Sequence, residues 1–264
     1  MSTATYALQD SATMLRRNLR RTLRYPASAA ATVGIPIVFL LLFVFVFGDT
    51  LGAGLTGVSG GRDDYLDYVT PGILLLAVTG AAQGTAISVA MDMSEGIIAR
   101  FRTMAIARVS VLTGHVVGSL IQTLIAIAVV VGVALAMGFG PTAGPLEWAA
   151  AIGLLTMVTY AVIWLAVALG LVSKSVESAS NLPMPLFLLP FLGSGFVPTD
   201  SMPTAMRWFA ENQPFTPIME TLRGLLMGTE IGSSGLLAVA WSVGVGLLSY
   251  LWAKRLFNRD PTPI

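Results

Sequence analysis

Six stretches free of Asp, Glu, Lys and Arg, each about as long as a bilayer is thick, decide what this chain can become. They are Ala27–Gly48, Tyr68–Met91, Val109–Phe139, Trp148–Ser173, Ser178–Thr199 and Ile231–Ala253. A helix crosses the hydrocarbon with roughly 20 consecutive apolar residues. The runs are continuously apolar rather than alternating, so helices are expected and a barrel is not. The expected fold is all-α: a polytopic membrane protein with six transmembrane helices, forming one domain over residues 1–264.

Composition narrows the function. The chain is 55% hydrophobic and 11% charged, where a soluble domain carries roughly 25% charged residues. A net charge of +1, sorted by loop rather than gathered in a patch, gives no reason to expect a nucleic acid partner. Cysteine is absent, which removes disulfides, thiolate metal sites and cysteine nucleophiles. No phosphate-binding GxxxxGK[ST] loop, dinucleotide glycine fingerprint or catalytic cluster is present. Arginine outnumbers lysine thirteen to two, among abundant Ala, Gly and Val, which suits a GC-rich bacterial genome. The first apolar run is too long for a signal-peptide core, so the first span is expected to be retained.

Lys and Arg orient the spans. Twelve of the fifteen lie in the N-terminal segment, the second-to-third and fourth-to-fifth connectors and the C-terminal tail. The other side holds only Arg62, Arg207 and Arg223, with acids such as Asp63, Asp64, Asp67 and Glu220. Six spans and this bias place both termini in the cytoplasm of a multi-pass protein of the bacterial plasma membrane.

Two cytoplasmic segments stand out. The connector over residues 92–108 reads DMSEGIIARFRTMAIAR. Asp92, Glu95, Arg100, Arg102 and Arg108 surround Gly96, while Ile97, Ile98, Phe101 and Met104 recur at helical spacing. A short amphipathic helix here would present a docking surface. The segment 1–26 places Leu15, Leu19 and Leu23 on one stripe, flanked by arginines that include Arg16 and Arg20. Such a helix lies in the membrane interface, attracted to anionic lipids. It serves as a topology anchor, as a contact for a cytoplasmic partner, or as both.

Inside the spans the polar residues are few. The second span opens with Thr70-Pro71, a pairing that suits a helix start. Thr79, Gly80, Gln83, Gly84 and Ser88 follow on one face, and Gly80 and Gly84 form a GxxxG pair. Gln122 in the third span and Thr159 and Tyr160 in the fourth continue the theme. These are either glue between helices or a weakly polar pathway for an amphipathic substrate. His115, the sole histidine, reads as a boundary residue, with a proton relay as the alternative. Pro183, Pro185 and Pro190 kink the fifth span, which must then be buried in the bundle. Two short helices are expected in residues 200–230, one after Pro203 and one from Thr216-Pro217 to about Gly228. They form an extracellular cap or an exit gate.

The stretch Asp67–Arg108 resembles the permease subunits of ABC-2 type exporters, on the daunorubicin/doxorubicin-resistance branch. It carries Tyr68, Pro71, Gly72 and Ile73 at the start of the second span. It then carries Asp92, Gly96, Arg100 and Arg102, and closes with Ile106 and Arg108. Met202-Pro203, Asn212-Gln213-Pro214 and Arg223-Gly224 are similar to the same family's later pattern. Ala105 stands where the family often has proline, arginine is common near His115, and Gln213 separates Asn212 from Pro214. The resemblance covers nearly the whole chain.

It implies two permeases, identical or paired, joined to two separate ATPase subunits. The chain itself would hold no cofactor, with ATP and Mg bound by the ATPase. The 92–108 connector would couple to that ATPase, helped by the interface helix. Cargo in the family includes drugs, lipids, lipid-linked glycans and polyketides. The competing readings are an ion-gradient-driven multidrug or lipid carrier and a non-transporting scaffold. Ion-coupled carriers usually need buried ionisable groups in their spans, and no repeat suggests the inverted architecture of such carriers.

Overall fold

The computed structural model describes residues 26–56, 60–96 and 108–258. Helix α1 (Pro26–Leu42) passes through a π-helical turn at Phe43–Phe47 into α2 (Gly48–Thr56). The long helices α3 (Arg62–Ser94), α4 (Arg108–Ala136) and α5 (Pro145–Val172) follow. Short helices α6 (Val176–Asn181) and α7 (Met184–Leu188) come next. Then come α8 (Thr204–Asn212), α9 (Phe215–Met227) and the long α10 (Ser234–Asn258). No strand occurs among the described residues.

Among the described residues, five helical segments are long and apolar enough to cross a membrane. Two of them form the centre. Of their apolar windows, 72% in α3 and 61% in α5 are buried, against 17%, 33% and 28% in the α1–α2 segment, α4 and α10. The α3–α5 contact is close because Gly170 has no side chain. A Cβ there would lie 2.7 Å from the Ala86 carbonyl oxygen.

The fifth expected span, Ser178–Thr199, is not one helix. It is α6, α7 and a 3₁₀ turn at Leu189–Leu192. Pro183, Pro185 and Pro190 each remove a backbone donor, so no unbroken i to i−4 ladder can form. The path still runs antiparallel along α3. Tyr65 Oη donates to Phe196 O (3.1 Å), Tyr68 Oη to Ser194 O (2.8 Å) and Gln83 Nε2 to Ser180 O (2.9 Å). Tyr65 to Gln83 covers about 27 Å of helix, close to the ~30 Å hydrocarbon thickness. The segment therefore accompanies α3 across most of a bilayer as a broken crossing. An aromatic cluster holds it to α1 and its π-helical turn, with Phe39–Phe191 ring centroids 5.4 Å and Phe43–Phe196 centroids 4.6 Å apart.

The start of the second span also differs from expectation. Thr70-Pro71 lies inside α3, which begins at Arg62. Asp63 and Asp64 sit in the first turn, where carboxylates favour the positive end of the helix dipole. Asp64 also accepts from Gly61 N–H at 3.3 Å. The Thr70 hydroxyl, instead of capping, donates to Leu66 O at 2.7 Å.

The apolar interior is in two parts. The larger core joins α1, α3, α4, α5 and α9 around Leu40, Ile73, Leu74, Leu75, Met219 and Leu222. The smaller core lies at the connector end and joins α3, α4, α5 and α10 through Val89, Leu112, Val116, Ile163, Val167 and Phe257. Helix α9 does not float on the surface. Phe215, Ile218, Met219, Leu222 and Leu226 are all buried in the larger core. Gly228, at φ +71, ends it in the left-handed conformation that favours glycine.

Candidate functional site

Three places concentrate the polar residues. The first is the end of α3 next to the connector. Glu95 and Gly96 N–H groups donate to Met91 O (2.9 Å) and Met93 O (3.2 Å), and Gly96 at φ +69 turns the chain out of the helix. Glu95 is exposed, whereas Asp92, one turn earlier, is 1% exposed. Asp92 Oδ2 lies 3.1 Å from His115 Nε2 of α4, itself buried. Asp92 is therefore an internal residue and not part of a docking surface, a correction to the expectation from its position in the connector. A buried carboxylate is stable only when paired, which is the physical reason. Arg100, Phe101 and Arg102, and with them the amphipathic helix expected there, lie outside the described residues. Arg108 opens α4, and its side chain also lies outside them. So do Leu15, Arg16, Leu19, Arg20 and Leu23 of the expected interface helix.

The second place is the flank of α3. Most of this helix is buried, but Gly80, Gln83, Gly84, Ile87, Ser88 and Met91 are exposed or half-buried. These positions follow helical spacing, so they form one open stripe running from mid-span toward the connector. A Cβ at Gly80 or Gly84 would meet nothing within 4 Å. The GxxxG pair thus makes no close helix approach inside this chain. Gln83 bonds the backbone of α6, and Asn181 beside that contact is exposed.

The other expected pathway residues do not join this stripe. Thr79 is fully buried and donates to Leu75 O and Leu76 O. Thr159 is likewise fully buried. Both are packed into the interior, so neither lines an open surface. Tyr160 is exposed on α5, and its ring meets Trp164 at 6.2 Å, which in turn meets Tyr250 of α10 at 4.9 Å. That is a different side of the bundle. Gln122 is half-buried on α4. One turn earlier on α4, Ser119 accepts from the Thr85 hydroxyl at 2.9 Å, so small hydroxyls do join α3 to α4.

The third place was not foreseen as a unit. Arg223 of α9 donates through Nη2 to Ser194 O (2.8 Å) and Tyr68 O (3.2 Å) and lies over the Tyr68 ring. Gly72 and Gly195 press together so closely that a Cβ on Gly72 would lie 2.7 Å from Gly195 O. Gln213 ties the same turn to α9, with Nε2 donating to Thr216 Oγ1 (3.1 Å) and Oε1 accepting from Phe215 N–H (3.2 Å). Tyr68, Gly72, Gln213 and Arg223 were visible as motif letters. Their meeting was not, because they come from three separate elements.

A helical bundle with five continuous apolar spans, a broken sixth and an open stripe leading to a charged connector defines a multi-pass membrane protein. The chain belongs to the ABC-2 type transporter family, whose pattern matches residues 10–227, and is a membrane permease subunit of that class. It is 28% identical over 242 residues to the daunorubicin resistance ABC transporter permease protein DrrB1 of Streptomyces coeruleorubidus, covering 91% of this chain and 80% of that protein. It is 24% identical over 235 residues to the probable doxorubicin resistance ABC transporter permease protein DrrC of Mycobacterium tuberculosis, covering 88% and 83%.

Proposed function

We propose that this chain is the membrane-spanning subunit of an ATP-driven exporter that moves an amphipathic drug, lipid or polyketide-like molecule out of the cytoplasm or the inner leaflet. Two such subunits, identical or paired, work with separate ATPase chains that bind ATP and Mg. Twelve of fifteen basic residues fall on the connector side, which faces the cytoplasm by the positive-inside rule.

The observation that carries this reading is the open stripe of α3. A central helix buried on its other sides leaves a glycine- and glutamine-bearing face uncovered and directs it toward a charged connector. Polar groups left in hydrocarbon are costly. A second permease, a water-filled passage or a substrate is the natural cover for that face. Gln83, Ser88 and Asn181 would meet the substrate, while Glu95, Gly96, Arg100, Phe101, Arg102 and Arg108 would dock the ATPase.

The test is charge reversal in the connector. Glu95→Arg and Arg100→Glu should insert normally yet lose ATP-driven export when expressed with the partner ATPase. Full export with retained ATPase binding in both variants would remove the coupling role. An export activity that follows the proton gradient and ignores ATP would favour an ion-driven carrier.

A further inference from the structure

The buried Asp92–His115 pair ties together the two ends of the segment that leaves α3 and returns as α4. Asp92 is in the last turn of α3 and His115 two turns into α4. The two are 1% and 2% exposed, with Oδ2 and Nε2 3.1 Å apart. Just beyond Asp92 in sequence come the exposed Glu95 and the Gly96 turn, where the chain leaves α3.

An apolar cluster lies at the same end of the bundle. Val89 of α3, Leu112 and Val116 of α4, Ile163 and Val167 of α5 and Phe257 of α10 make the smaller core. Apolar packing is non-directional and leaves one helix able to roll on another. A hydrogen bond to a buried carboxylate is directional and short. The pair therefore fixes the rotation of α3 against α4 at the connector end, as the Thr85–Ser119 hydroxyl bond does about two turns further into the bundle. Lys254 and Arg255 of α10, near this core in sequence, are exposed, and Lys254 Nζ lies 6.0 Å from the ring centroid of Tyr250 at its edge.

We propose that Asp92 and His115 are a positioning pair that locks the two feet of the connector together, so that force on the connector moves α3 and α4 as one body. The transmission part of this proposal rests on the exporter reading above; the locking part does not.

The chain lacks cysteine, so two can be introduced cleanly. Met93→Cys on α3 and Ile125→Cys on α4 are exposed sites, 40% and 57% accessible, suited to spin labels. The full chain is placed in nanodiscs, diluted with unlabelled copies, and the label distance is read by pulsed electron paramagnetic resonance. A single narrow distance is expected in the parent. Asp92→Leu and His115→Leu should each broaden or split it, and His115→Arg, which restores a donor to the carboxylate, should keep it narrow. A narrow distance in both leucine variants overturns the lock. So does a broad distance in His115→Arg equal to that of His115→Leu, since packing rather than pairing would then be at fault. With the partner ATPase present, the leucine variants should export about tenfold less per ATP hydrolysed, a coupling loss of ordinary size. Broadening with unchanged export per ATP overturns the transmission role and leaves the exporter reading intact. Absence of ATP-driven export in the unsubstituted protein is instead the failure of the exporter reading.

Discussion

The guanidinium of Arg223 lies over the ring of Tyr68, 3.9 Å from its centroid, although the two are 155 residues apart. The same guanidinium reaches Ser194 O, to which the Tyr68 hydroxyl also donates. One carbonyl thus gathers α3, α9 and the end of the broken crossing. Arg223→Leu should lower the stability of the purified protein by about 2–4 kcal/mol, since a desolvated cation–π contact and charged hydrogen bonds go together. Tyr68→Phe keeps the ring and should cost only about 1 kcal/mol. Thermal unfolding in one detergent checks both, and an Arg223→Leu melting curve like the parent's would refute the role.

Gly72 and Gly80 lie two turns apart on α3 and should respond oppositely to alanine. At Gly72 the new methyl meets Gly195 backbone at 2.7 Å, where nothing flexible can yield. A loss of about 1–3 kcal/mol is expected, as for other overpacked sites. At Gly80 the methyl enters open space, and helix propensity alone predicts a gain of up to ~1 kcal/mol. Melting temperatures of the two variants should fall on either side of the parent.

Gln213, which interrupts the Asn-Pro pairing expected at that place, acts as the clasp of α9. Its amide serves Phe215 N–H, Thr216 Oγ1 and, at 3.4 Å, Leu189 O. Gln213→Leu should leave buried partners unsatisfied and cost about 1–3 kcal/mol. Hydrogen exchange should rise first in the opening turn of α9. Equal protection in variant and parent would show that packing of Phe215 and Met219 suffices.

On the open stripe, Gly84→Val should leave the melting temperature of the single chain nearly unchanged, because no neighbour within the chain meets Gly84, while Gln83→Leu loses the bond to Ser180 O and should cost about 1 kcal/mol. Export should change several-fold and differently for different amphipathic drugs, as a methylene or a hydroxyl in a pocket shifts selectivity by about 1–3 kcal/mol. Drug accumulation in cells expressing the complete transporter reads this out. An unaltered drug profile in both variants would assign the stripe to lipid.

The membrane class, the long helices and the short helices after residue 200 could be read from residues alone. Length, hydropathy and cap residues are local quantities. The missed points share a cause. Thr70-Pro71 looked like a helix start because cap chemistry is local, yet Asp63 and Asp64 begin the helix two turns earlier. The fifth run looked like one span because prolines do not reduce hydropathy. They break the backbone ladder all the same. Thr79 and Thr159 share the composition of pathway residues but are buried, whereas Gln83 and Ser88 open onto the α3 stripe and Gln83 also bonds the broken crossing.

Taken by itself, the sequence determined that the chain lives in a membrane, how many apolar runs it has and which loops carry positive charge. The free energy of placing a segment in lipid depends on that segment's own residues. Only the tertiary structure decided that Asp92 turns inward to His115, that Arg223 caps Tyr68 and that one flank of α3 stays open. Helical period states which side chains share a face, but what stands opposite is contributed by a distant part of the chain, 23 residues away for Asp92 and 155 for Arg223.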